Sequence, residues 1–196
     1  MKTIFGSIIL CTAFMSLSAQ DKTLPYYEIP AYPESFTAGT VAARIVDGAG
    51  FRYYWATEGL RPEDLAFKPN PDARTSEETL MHIFELSNIV VNAVTSTVNM
   101  PKKDQQLSFA DMRKITLENF KLASDRLRVC TDQQMKDFKI VMKRDNGTTA
   151  EYPFWNELNG PIADCLWHIG QVVSFRRSSG NPFTEKVSVF FGKVVK

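Results

Sequence analysis

Histidine is almost missing from this chain. His82 and His168 are the only two among 196 residues, so any imidazole chemistry must run through them. Cysteine is nearly as scarce: beyond residue 20 only Cys130 and Cys165 occur, too far apart to form a redox motif. No serine lies in a nucleophile-elbow context, and no glycine loop is built to cradle a phosphate. No excess of either charge exists either. Once Lys2 is set aside with the leader described below, 22 basic residues face 22 acidic ones. That balance excludes nucleic-acid binding driven by counterion release, and no run of like charge suggests an anionic membrane surface. After residue 20 no apolar run is long enough to span a bilayer. Internal repeats and low-complexity tracts are absent.

What is present begins with MKTIFGSIILCTAFMSLSAQ. One basic residue, an apolar run from Ile4 to about Met15 and a small-residue ending have the order of a secretory signal peptide, residues 1–20. Cys11 follows Leu10 rather than a small residue, which argues against a lipoprotein anchor. Cleavage is expected near Ala19 or Gln20, with export to the periplasm or the extracellular space. About 175 residues then remain, enough for one domain with a full-sized core. In an oxidising compartment Cys130 and Cys165 could pair or could remain two small buried thiols.

Residues 21–34, with three prolines and three tyrosines, read as an extended arm. A helical pattern follows over about 35–58, in which Val41, Ile45, Gly48, Phe51 or Arg52, and Trp55 recur at helical spacing. The stretch LRPEDLAFKPNPDAR is too polar and too broken by proline to be an element of its own. Thr75 and Glu78 have capping-box spacing and open a second helix. Its apolar half carries Leu80, Phe84 and Val91, with His82 in an adjacent stripe that points inward. Ser108 and Asp111 start a third helix that keeps its period to about Cys130. Residues 133–158 predict a β-hairpin around Asp145-Asn146-Gly147. Asn146-Gly147-Thr148 is also a glycosylation triplet, but the turn explains it without modification. A fourth helix begins near Gly160-Pro161 and stops at Gly180 before Pro182. The predicted architecture is all-α: an up-down four-helix bundle over 35–182, a short β-hairpin between the third and fourth helices, and an extended tail at 183–196.

The candidate site lies in DCLWHIGQVVSFRR. Asp164 and His168 are spaced i and i+4 and meet on one helix face, with Gln171 and Phe175 extending the stripe. His82 is the third candidate ligand. Two imidazoles and a carboxylate suit Zn(II), Ni(II) or Fe(II) and leave positions open for water or substrate. Against this, the stripe lies almost opposite the apolar row Ile162, Leu166, Ile169 and Val173, as a solvated face would. Trp167 and Phe175 flank it, which is unusual for a face in open water. Arg176 and Arg177 suit the helix C-terminus and could also clamp an anion.

LRPEDLAFKPNPDARTSEETLMHI and WHIGQVVSFRRSSGNP resemble the corresponding segments of the DinB-like (damage-inducible) superfamily, over about residues 36–182. That resemblance implies a four-helix bundle with a divalent metal held by one histidine of the second helix and two of the fourth. His82 matches the first ligand, and His168, followed by Ile169-Gly170-Gln171, matches the last. Asp164 stands where the resemblance expects the middle histidine. Some members of that superfamily are metal-dependent thiol transferases or isomerases and others have no known activity; the leading reading is a metal-dependent transferase or hydrolase acting on an unidentified small molecule, with Gln171 beside the metal ligands or positioning substrate. A homodimer is implied by analogy, and DNA binding is not. The competing reading is a metal-free binding or interaction module with a degenerate site.

Overall fold

The computed structural model describes residues 24–101 and 106–195. The expected signal peptide at 1–20 lies outside the described residues. The fold is mostly helical, with two small antiparallel strand pairs. Four long helices carry it: α1 (Ala38–Thr57), α3 (Ser76–Thr95), α4 (Phe109–Val129) and α7 (Ala163–Ser178). Shorter pieces are α2 (Pro62–Ala66), α5 (Asp132–Asp137) and α6 (Phe154–Glu157). Strands β1 (Lys139–Lys143) and β2 (Thr149–Pro153) form the hairpin, and β3 (Val187–Ser188) pairs with β4 (Lys193–Val194) in the tail.

The helix starts follow their side chains. Thr75 Oγ1 accepts from Glu78 N at 3.1 Å while Glu78 Oε2 accepts from Thr75 N at 2.7 Å, closing the capping box read from the sequence. Ser108 caps α4 by accepting from Asp111 N at 3.1 Å. The hairpin turn is built as expected around Gly147, whose φ of +79° suits a residue without a Cβ.

Chain direction departs from the expectation. At one end of the molecule Gly39 of α1 lies against α4, where a Cβ would meet Leu127 O at 2.3 Å. At the other, Arg113 of α4 donates to Thr57 Oγ1 of α1 at 2.9 Å, so α1 and α4 are antiparallel. The C-termini of α1 and α7 lie together, because Arg176 Nη1 donates to the carbonyls of Trp55, Ala56 and Glu58. The start of α3 is tied through Ser76 N→Phe67 O to the α2 segment, which in turn is fastened to the end of α7 through Asp64 and Ser179. Thus α3 runs opposite to α7, and α3 and α4 run the same way. The order is up, down, down, up, not the alternating one expected. The connection between α3 and α4 therefore crosses the length of the molecule, and Asn99 within it adds to the edge of β1 through Asn99 N→Val141 O and Lys143 N→Asn99 O, both 2.8 Å.

Tyr53, Tyr54, Trp55, Phe51, Phe120, Leu80, Ile83 and Leu117 fill the core. Burying such side chains contributes roughly 1.5–3 kcal/mol each. Three further expectations need correction. The α1 stripe is core only in its second half: Phe51 and Trp55 are buried, but Val41 and Ile45 are exposed, and Ala42, Ala43, Val46 and Ala49 are buried instead. Small side chains there let α4 approach closely. Residues 62–66 form a short helix after all, because proline opens it and Asp64 receives Arg61, Ser179 and Asn181. The hairpin is confined to 139–153, with α5 and α6 at its ends. Cys130 and Cys165 are both free: Cys130 Sγ faces Leu127 O at 3.2 Å, while Cys165 is buried in the core.

Candidate metal centre

α7 has two differently used flanks. Its buried line is Cys165, Ile169, Val172 and Arg176, one step round from the apolar row read in the sequence. On one flank, half-buried Asp164, His168 and Gln171 turn toward α3; on the other, Leu166 and Val173 border a cleft with α1. Proline and a non-helical Gly160 (φ −98°, ψ −107°) in the π-helical turn Leu158–Ile162 set the entry of α7, with Asp164 in its first turn. His82 sits early in α3, on the side facing α7.

The three candidate ligands converge. The imidazole rings of His82 and His168 meet edge to face, with centroids 4.7 Å apart. Asp164 lies between them, Oδ2 at 3.4 Å from His82 Nε2 and Oδ1 at 3.3 Å from His168 Nε2. One donor atom from each residue falls within 4.8 Å of the others. A divalent ion bound at about 2.0–2.2 Å leaves its ligand atoms roughly 3–4.4 Å apart, so the two histidine–aspartate separations fit such an ion. They exceed the usual N–H···O distance of about 2.7–3.2 Å and are poor hydrogen bonds.

The second nitrogen of each ring is also addressed. Gln171 Oε1 is 2.8 Å from His168 Nδ1. An amide oxygen only accepts, so Nδ1 donates to it, which in the neutral ring leaves Nε2 as the nitrogen free to bind a metal on the Asp164 side. In that tautomer a cation between Nε2 and the Asp164 carboxylate would satisfy both. His82 Nδ1 has Glu85 Oε2 at 3.9 Å, one turn along α3. Glu85 escaped the sequence reading because its spacing put it on the solvent side of α3. Its side chain is 30% exposed, which lets it reach the edge of the cleft.

Access is retained. The side chains of Asp164, His82 and His168 are 40%, 29% and 16% exposed, so water or a small molecule can reach the donors from one side. Trp167 does not shield the site; it is 72% exposed. Farther along α7, Phe175 packs against Phe67 with ring centroids 5.8 Å apart. Cys165 follows Asp164 in sequence but points into the core, where burial pushes its thiol well above the ordinary range, so it offers no thiolate to the cleft. Arg176, read as half of an anion clamp, is instead buried and spent on backbone carbonyls; Arg177 is exposed.

Among the described residues, no helix is long and apolar enough to cross a membrane. Searches against models of protein families, curated proteins and solved structures return no match to this chain.

Proposed function

We propose that the chain is an exported, DinB-like four-helix bundle that holds a divalent metal between His82, Asp164 and His168 and acts as a transferase or hydrolase on a small molecule. The observation that carries this reading is the spacing of the three donors. Asp164 faces both imidazoles at 3.3 and 3.4 Å, right for sharing a cation and long for hydrogen bonds. The unusual helix order, with α3 and α4 parallel, supports a bundle of the kind the sequence resembles only in the sense that it brings the second and fourth long helices face to face at the ligands. Asp164 in place of the expected histidine supplies a hard, anionic oxygen, which favours Zn(II), Ni(II) or Fe(II) over softer ions.

Bound there, the ion would supply Lewis acidity and lower the pKa of a water or thiol beside it. The chain's own residues do the rest. Gln171 holds the orientation of His168, and Asp164 carries the negative charge between the rings. Export would separate the protein from the reduced cytosolic thiols used by some DinB-like enzymes.

The test is the metal content of protein purified without an affinity tag. The reading expects about one equivalent of Zn, Ni or Fe per chain in wild type and little in His82→Ala or His168→Ala. Metal-free protein that also takes up none of these ions on incubation would leave the same residues as a polar network in a binding module.

A further inference from the structure

The side of α7 turned away from the histidines forms a second cleft, against α1, of about 650 Å³. That volume is in the range of ordinary small-molecule sites, about 300–1,000 Å³. Two of its lining positions lack side chains, Gly48 on α1 and Gly170 on α7. A Cβ built on Gly170 would meet nothing within 4 Å. Leu166, Val173 and Phe183 give the cleft apolar walls.

Its charges are one-sided. Arg44, Arg52 and Arg177 all line it, and no acidic residue does among the described residues. Three other arginines have carboxylate partners: Arg61 pairs with Asp64, Arg113 with Glu58 and Arg128 with Asp47. Arg44 is held in place by Pro30 O at 2.8 Å and by lying over the Tyr32 ring at 4.8 Å. Arg52 Nη1 donates to Gly48 O at 3.0 Å. A guanidinium has five N–H donors, so both retain several for a ligand. Three cations thus border one half-enclosed, partly apolar space with no carboxylate among its lining residues, which favours an anion there.

We propose that this cleft binds a small amphipathic carboxylate, an organic monoanion whose head takes the arginine forks and whose apolar body lies along Leu166, Val173 and Phe183. Guanidinium forks match carboxylate geometry in two parallel hydrogen bonds. The apolar walls give a free inorganic anion nothing to bury, and the arginines give a neutral chain no partner. The site is separate from the metal centre, which opens on the opposite flank of the same helix.

The test is a titration followed by amide NMR, with octanoate as the probe and 1-octanol, acetate and inorganic phosphate as controls. Octanoate is expected to give saturable shifts centred on Gly48, Gly170 and Ser174, with a Kd at least tenfold below that of each control. Arg52→Gln combined with Arg177→Gln is expected to weaken octanoate at least fivefold and to flatten its salt dependence. Gly170→Leu fills the open space on a helix that prefers leucine to glycine, so the protein stays folded while saturable binding disappears. His168→Ala is expected to leave octanoate affinity unchanged. The proposal is overturned by any of four results: no saturable shift, octanol or phosphate binding as tightly as octanoate, undiminished binding in folded Gly170→Leu, or shifts that centre on His82 and vanish in His168→Ala.

Discussion

Gln171 Oε1 meets His168 Nδ1 at 2.8 Å, on the side of the ring away from Asp164. One residue therefore decides which nitrogen of His168 carries the proton and which faces the cleft. Partners of this kind typically change metal affinity by about 10–100-fold when removed. Gln171→Leu should weaken Zn(II) binding by about tenfold without unfolding the protein, and Gln171→Glu should retain affinity because a carboxylate also accepts from Nδ1–H. Competition with a chromophoric chelator measures both; equal affinities in wild type and Gln171→Leu would remove Gln171 from the account.

Glu157 gives a pH prediction. It is fully buried, neither carboxyl oxygen has a hydrogen-bond partner, and burial pushes its pKa from 4.5 up to about 8. Below about pH 4.5 the group is protonated in both folded and unfolded chains and has no effect. As pH rises from about 4.5 through about 8, the unfolded chain gives up the proton and the folded chain keeps it, so stability falls, by at most about 1.4 kcal/mol per pH unit. Glu157→Gln should remove that slope and be more stable than wild type at pH 8. Urea melts at pH 5 and pH 8 check this, and parallel profiles for the two proteins would contradict it.

Asp64 should behave in the opposite sense. Its carboxylate accepts from Arg61 Nε at 2.9 Å, Arg61 Nη2 at 2.8 Å, and Ser179 Oγ and Asn181 Nδ2 at 2.6 Å each. The Arg61 side chain foremost, against the opposing effect of burial, holds the carboxyl well below its ordinary range. The resulting stability is present above the unfolded carboxylate pKa and is lost as pH falls below it. Asp64→Ala should cost roughly 1–3 kcal/mol at neutral pH, since it removes the buried acceptor shared by Ser179, Asn181 and the half-exposed Arg61. A loss under about 1 kcal/mol in denaturant melts would mean that α2 does not clamp the start of α3 to the end of α7.

The cysteines separate by accessibility. Cys165 is buried and its thiol is pushed up by burial, whereas Cys130 is half-buried at the end of α4. A thiol reagent at pH 8 should label Cys130 slowly and Cys165 only after denaturation. Rapid labelling of Cys165 in native protein would show that the core around it opens.

Much of this was legible in the sequence wherever one local interaction decides the outcome. The Thr75–Glu78 box needs only four neighbouring residues, and Asp164 with His168 needs only helical spacing. His82 could be turned inward because the apolar side of α3 is broad. Other features depend on contacts far along the chain. Periodicity carries no direction, so nothing in α4 itself announces that it runs parallel to α3. The core side of α1 was missed because alanines mark it weakly, while Val41 and Ile45 mark the wrong side strongly. Asp64 looked like a loop residue because Ser179 and Asn181, which hold it, lie more than a hundred residues away. Arg44 and Arg52 carry no local signal of a cleft, which exists only where α7 lies beside α1.

The central claim is that His82, Asp164 and His168 form one metal centre. The most direct measurement is Zn(II) affinity by chelator competition at pH 7.5 in wild type, His82→Ala, Asp164→Ala and His168→Ala. The account predicts one site in wild type and a loss of at least about 100-fold in each single variant, since each removes one ligand of three. Affinities in the variants within about twofold of wild type, with all four proteins folded, would contradict it.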